Sequence, residues 1–164
     1  MDRRQFIARS AGAAGLALLA QTAGAQEELN ERQKVSTFQL KLMNVLVEDQ
    51  THALKFYTET IGFVKKQDFP IGGGRWLTVV TRDDPNGTEL LLEPTGIPAA
   101  KVFQKAIFDM GVPYTAFAVG DIDAEYERLT ALGVKFRLKP TKMGPSTIAH
   151  FEDTCGNIIQ MFQV

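Results

Sequence analysis

From Phe38 to Val47 apolar side chains dominate, and a period of two sets Met43, Val45 and Val47 on one side of an extended segment, with Leu40, Leu42, Asn44 and Leu46 on the other. The period then changes. Asp49 stands where a helix N-cap belongs, and Ala53, Leu54 and Tyr57 recur at helical spacing, which predicts a helix with one buried face, ended by Gly62. Phe63 to Phe69, Trp76 to Thr81 and Glu89 to Glu93 read as three further strands. Ile71-Gly72-Gly73-Gly74 and the turn Asp84-Pro85-Asn86-Gly87 separate them, the first as a hairpin loop or as part of a rim or lid. Val102, Phe103, Ala106 and Ile107 keep three- and four-residue spacings, so a short crossover helix is predicted over 99–108.

The same pattern is then written again. Val47-Glu48-Asp49-Gln50, the run to Tyr57 and Ile61-Gly62-Phe63 recur as Val119-Gly120-Asp121-Ile122, the run to Leu129 and Leu132-Gly133-Val134. Asp84 to Gly87 and the strand after it recur as Asp153-Thr154-Cys155-Gly156 and the strand from Asn157 to Phe162. The offset is 72 residues at Asp49 and Asp121 and 69 at Gly87 and Gly156. A βαβββ unit has therefore been duplicated. The fold class this predicts is α+β: two tandem βαβββ modules, about 38–94 and 113–163, forming a curled, cup-like sheet of eight strands with helices outside. The Val45 and Val47 side is assigned to the helix. That leaves the Leu42 side for the partner module, and two such sides curled toward each other would enclose a pocket.

Residues 1–25 stand outside this pattern. Arg3-Arg4 precede an apolar run of small residues and leucines from Ala11 to Ala20, and Ala23-Gly24-Ala25 has the form of a signal-peptidase site. The run is too short for a permanent membrane anchor. Arg3-Arg4-Gln5-Phe6-Ile7 resembles a twin-arginine export signal, with a general secretory signal as the other reading. Either predicts cleavage near Ala25 and a periplasmic protein. Residues 26–37 are polar, without periodicity, and read as a linker ahead of a domain spanning 38–164.

Composition adds exclusions. With 164 residues, 45% of them hydrophobic and 23% charged, the chain suffices for one domain with a real core. The formal charge of −1, without a basic run in the globular part, offers no footprint for nucleic acid. Cys155 is the only cysteine, so an internal disulfide is impossible and a turn position is its plain reading.

The duplicated βαβββ pattern, with Val47-Glu48-Asp49-Gln50, Phe56-Tyr57 and Ile61-Gly62-Phe63 in the first copy and Asp153-Thr154-Cys155-Gly156-Asn157 before the last strand, resembles the vicinal oxygen chelate superfamily. That superfamily includes glyoxalases, extradiol dioxygenases and bleomycin-binding proteins. The resemblance implies a small-molecule site and, in metal-dependent members, a divalent ion held by one side chain from the first and last strand of each module. Carried over by the repeat offsets, those positions are Leu42, Leu91, Tyr114 and Gln160. Leucine cannot ligate and an amide is a weak donor. No metal or other cofactor is therefore predicted.

The pocket so implied is lined by Leu42, Asn44, Trp76, Leu91, Tyr114 and Gln160, with His150, Glu89 and Tyr114 as the acid–base candidates should there be catalysis. Trp76 supplies a stacking face or simply core. His150 is a hydrogen-bonded wall residue or a base, and Thr81 is read as its counterpart in the first copy. Glu89 and Glu93, flanking Leu91 on one strand side, are the carboxylates within reach of a shifted register, and His52 is read as a surface residue. The expected function is an exported small-molecule-binding protein of bleomycin-resistance type. The alternative is a glyoxalase-like lyase or isomerase, or a dioxygenase-type enzyme. Exposed sheet edges lead to the expectation of a homodimer.

Overall fold

The computed structural model describes residues 38–164, so the expected export signal and linker lie outside the described residues. Residues 40–164 form one compact unit. Its elements are β1 (Leu42–Val47), α1 (Gln50–Lys55, continued by a π-helical turn Phe56–Thr60), β2 (Val64–Ile71), β3 (Gly74–Val80), β4 (Glu89–Pro94), α2 (Pro98–Asp109), β5 (Thr115–Ala118), α3 (Ile122–Ala131), β6 (Phe136–Met143), β7 (Ser146–Glu152) and β8 (Ile158–Gln163). The strands pair as two sheets of four, β1-β4-β3-β2 and β5-β8-β7-β6. In each the outer first strand runs parallel to the last and the other pairs are antiparallel. The architecture is α+β with two modules.

Local chemistry sets the boundaries. Asp49 Oδ1 accepts from the N–H groups of Thr51 and His52, and Asp121 Oδ1 from Ala124, so each module's helix starts at an aspartate cap. The glycines that follow, Gly62 and Gly133, take φ of 96° and 81°, which a side chain would strain. Between cap and glycine the first copy holds one residue more than the second, and the π turn absorbs it: Ile61 N–H bonds the Phe56 carbonyl, five residues back, at 3.1 Å. Gly72 and Gly73, at φ 53° and 80°, make a two-residue hairpin turn between β2 and β3, with Gly144-Pro145 in the matching place.

Val45 and Val47 pack on the helix side of the first sheet with Leu77, Val79, Leu90 and Leu92, as the alternation assigned them. Ala149, Phe151, Ile159 and Met161 do the same in the second sheet. The two helix sides share one core. Phe56 of α1 lies 6.5 Å from Phe151 of β7, centroid to centroid, and Phe63 meets Phe117 edge-on at 5.4 Å. It is thus the helix sides that meet across the modules, while the Leu42 side of each sheet looks away from that core. A fully buried Tyr57, Phe151 or Leu92 is worth about 1.5–3 kcal/mol. An exposed ion pair such as Arg128–Glu125 contributes about 0–1 kcal/mol. Apolar contacts such as Phe56–Phe151 and Phe63–Phe117 join the modules.

A buried polar net reinforces the joint. Gln104 of α2 donates through Nε2 to the Leu46 carbonyl (2.8 Å), the Cys155 carbonyl (3.0 Å) and Asn157 Oδ1 (3.1 Å). Asn157 Nδ2 also reaches Leu46 (2.9 Å), and Tyr57 Oη donates to Asp153 Oδ2 at 2.8 Å. Cys155 therefore occupies a buried turn.

Candidate functional site

Strand register places the candidate residues on the sides turned away from the shared core. In the first sheet Leu42 pairs with Glu89, Asn44 with Leu91, Leu46 with Glu93 and Thr78 with Leu91, so all of these side chains share one side. Glu89 is held there by three contacts. Thr78 Oγ1 donates to its Oε2 at 2.6 Å, and Gln67 Nε2 reaches both carboxylate oxygens at 3.2 Å. Asn44 Nδ2 orients Glu93 at 3.1 Å. Trp76 stacks on Phe69 with centroids 6.3 Å apart and planes 21° from parallel. Leu42 is 46% exposed and Leu91 is buried.

In the second sheet His150 pairs with Gln160, and their side chains are joined by a 3.1 Å hydrogen bond from Nε2 to Oε1. With the amide oxygen accepting, the ring carries its proton on Nε2 and leaves Nδ1 as an acceptor. Tyr114, just ahead of β5, packs edge-on against Phe103 of α2 at 6.4 Å. Its hydroxyl is raised above the usual range, first by burial and then by the negative charge of Glu93 from the other module.

One correspondence needs correction. Thr81 does not match His150; Thr78 does, because Thr78 opposes Leu91 as His150 opposes Gln160. The offset, 71 at Gly62 and Gly133, is 72 again through β3 and β7 and falls to 69 in the next turn, which spans 81–88 in the first copy and 153–157 in the second. Gln67, Thr78 and Phe69 were not among the sequence candidates. A register shift between Lys65 and Gln67 breaks the period-two pattern of β2 and conceals which side Gln67 and Phe69 occupy. His52 is exposed, and its Nε2 meets Thr154 Oγ1 at 3.1 Å.

The residues do not fit the divalent ion that metal-dependent vicinal oxygen chelate proteins hold. Leu42 and Leu91 offer no donor atom, Tyr114 is a phenol whose proton is harder to remove than usual, and Gln160 Oε1 already accepts from His150. Among the described residues no group of three or more His, Cys, Asp or Glu side chains is placed to hold a metal. What the arrangement can do is present two oriented carboxylates, an aromatic pair and the His150–Gln160 pair to a ligand rich in hydrogen-bond donors. Two cavities, of about 290 and 270 Å³, open elsewhere, and none of Leu42, Asn44, Trp76, Glu89, Leu91, Tyr114, His150 or Gln160 lines either.

Residues 39–161 match the family model of the Glyoxalase/Bleomycin resistance protein/Dioxygenase superfamily. The chain is 58% identical over 120 residues to the uncharacterized protein YurT of Bacillus subtilis strain 168, a stretch covering 73% of this chain and 94% of the relative. Among solved structures, UcmS2 aligns with a TM-score of 0.69 at 33% identity, covering 77% of this chain and 98% of its own. TnmS3, described as an antibiotic binding protein from Streptomyces sp. CB03234, aligns with a TM-score of 0.63 at 29% identity, covering 79% and 98%.

Proposed function

Since this chain belongs to the Glyoxalase/Bleomycin resistance protein/Dioxygenase superfamily, we propose that it binds a small organic molecule on the sheet sides carrying Leu42, Leu91, Tyr114 and Gln160, without a divalent ion. The observation that carries this reading is the side-chain chemistry at those four equivalent positions, two aliphatic, one phenolic and one amide. The likeness to an antibiotic binding protein supports an organic ligand. Glu89, fixed by Gln67 and Thr78, and Glu93, fixed by Asn44, supply acceptors for hydroxyl or amino groups, and Trp76 with Phe69 supplies a flat apolar surface. Arg3-Arg4 and Ala23-Gly24-Ala25 support export to the periplasm, and no helix among the described residues is long and apolar enough to cross a membrane.

A homodimer belongs to the same reading. Leu42 and Met43 are 46% and 38% exposed at the start of β1, and Phe103 is 54% exposed on α2 beside Tyr114, so a second copy covering these residues would close the open side over its ligand. A glyoxalase-like lyase or isomerase is the second reading on one observation, the Nδ1 acceptor of half-buried His150, whose ring is held through Nε2 by Gln160.

Native mass spectrometry of the protein recovered from the periplasm after expression of the full chain tests these points together. The expected species is two copies beginning near Gln26, with an organic adduct and no metal. One metal per chain would overturn the metal-free reading, a monomer the dimer, a chain still carrying Arg3-Arg4 the cleavage near Ala25, and absence of the protein from the periplasm the export.

A further inference from the structure

The duplication makes two places comparable that differ in what fills them. In one, the turn before β8 tucks beneath α1: Tyr57 Oη bonds Asp153, and Asn157 and Gln104 complete the net. In the other, the helix residue equivalent to Tyr57 is Leu129, which has no hydroxyl, and the turn before β4 is longer, spanning 81–88 rather than 153–157. Counted from either end, the counterpart of Asp153 is Thr81 or Asp84. Thr81 is exposed, and Asp84 stays with its own turn, its carbonyl accepting from Gly87 N–H at 3.1 Å. Beside Leu129 lies the larger cavity, about 290 Å³.

We propose that this crevice between the modules is a second ligand site, separate from the sheet sides described above, and that it takes a small aromatic monocarboxylate. Its floor is Phe63, Phe117, Leu129 and Met161, with the Phe63–Phe117 pair presenting an aromatic wall. Apolar walls facing a gap forgo dispersion contacts that a ring would restore. The volume lies just below the roughly 300–1,000 Å³ typical of ligand pockets, which selects one ring or a small fused pair.

Charge at the mouth sets the rest. The Arg128 guanidinium is already engaged, by both Glu125 oxygens and by the carbonyls of Thr60 and Ile61. Arg82 is exposed at the same mouth and has no hydrogen-bond or ion-pair partner among the described residues. Its planar fork matches a carboxylate, and neighbouring Asp83 repels a second negative charge, which limits the ligand to a monoanion.

The test is an amide-resolved NMR titration of the mature protein with benzoate and with its neutral analogue benzamide. Benzoate is expected to shift the amides of Phe117, Val119 and Leu129. Arg82→Ala should weaken benzoate about tenfold and Arg82→Lys by less, with benzamide unchanged. Gly120 borders the cavity, its φ is ordinary and open space surrounds an added Cβ, so Gly120→Phe should abolish binding of both probes in a folded protein. The site is overturned by shifts at Trp76 and Gln160 instead, by binding that survives Gly120→Phe, or by no shifts at millimolar probe. Equal effects of Arg82→Ala on benzoate and benzamide would overturn the carboxylate preference.

Discussion

Replacing Asp153 with alanine is expected to cost about 3–5 kcal/mol of stability, a large share of what a domain of this size possesses. The carboxylate is buried and receives four hydrogen bonds: from Cys155 N–H and Asn157 N–H on one oxygen, and from Asn157 Nδ2 and Tyr57 Oη on the other. Alanine orphans these donors, each at about 1–3 kcal/mol, with partial relief where water enters the space. Tyr57→Phe removes one donor and leaves three, so its cost should be about 1–2 kcal/mol. Urea denaturation of both single variants and the double variant checks the argument. Tyr57→Phe should cost less in the Asp153→Ala background than alone, with a coupling above about 0.5 kcal/mol. A loss below that figure for Asp153→Ala would mean that the net does not join the modules.

Raising the pH from about 9 to about 12 is expected to strip stability through two neighbours of Asp153. Burial, and then the charge of Asp153, pushes the Cys155 thiol up from 9.0 to about 12. The Tyr57 hydroxyl is held well above 10.0 by the same two causes. In this window the unfolded chain has released protons that the folded chain still holds, so stability falls with rising pH, by about 1.4 kcal/mol per pH unit for each group. Cys155 acts from about pH 9, and Tyr57 joins above pH 10. Asp153 behaves in the same sense at the acid end. Burial raises its carboxyl above 3.8 despite its hydrogen bonds, so its contribution grows as pH falls through the folded value toward 3.8. Urea midpoints measured from pH 8 upward for the native protein, Cys155→Ala and Tyr57→Phe should show shallower alkaline slopes in the variants. Three superimposable profiles would refute the assignment.

Much of this architecture was legible because alternation and repetition are long-range regularities. Val45 and Val47 reached the helix side as their period required, and the repeat offsets brought Leu91 and Gln160 to matching places in their sheets. What the pattern could not show was irregularity within a single strand or turn. One extra residue at the π turn, the register shift beside Gln67 and a turn three residues longer before β4 each change an offset locally. Those shifts explain why Thr81 stood in for Thr78 and why the supports of Glu89 went unseen. The buried roles of Gln104 and Asn157 had no signal either, since both reach the Leu46 carbonyl, 58 and 111 positions away.

That remoteness bears on the order in which the molecule assembles. Tyr57 and Asp153 are 96 positions apart, and Leu46 and Asn157 are 111 apart. Bringing such partners together costs loop entropy before any bond is made, so these contacts are expected to be among the last to close on the way to the native state. They then act as a latch rather than a nucleus. Weakening it, as Tyr57→Phe does, should quicken escape from the native state while leaving the rate of entry nearly untouched, which stopped-flow unfolding and refolding limbs would separate.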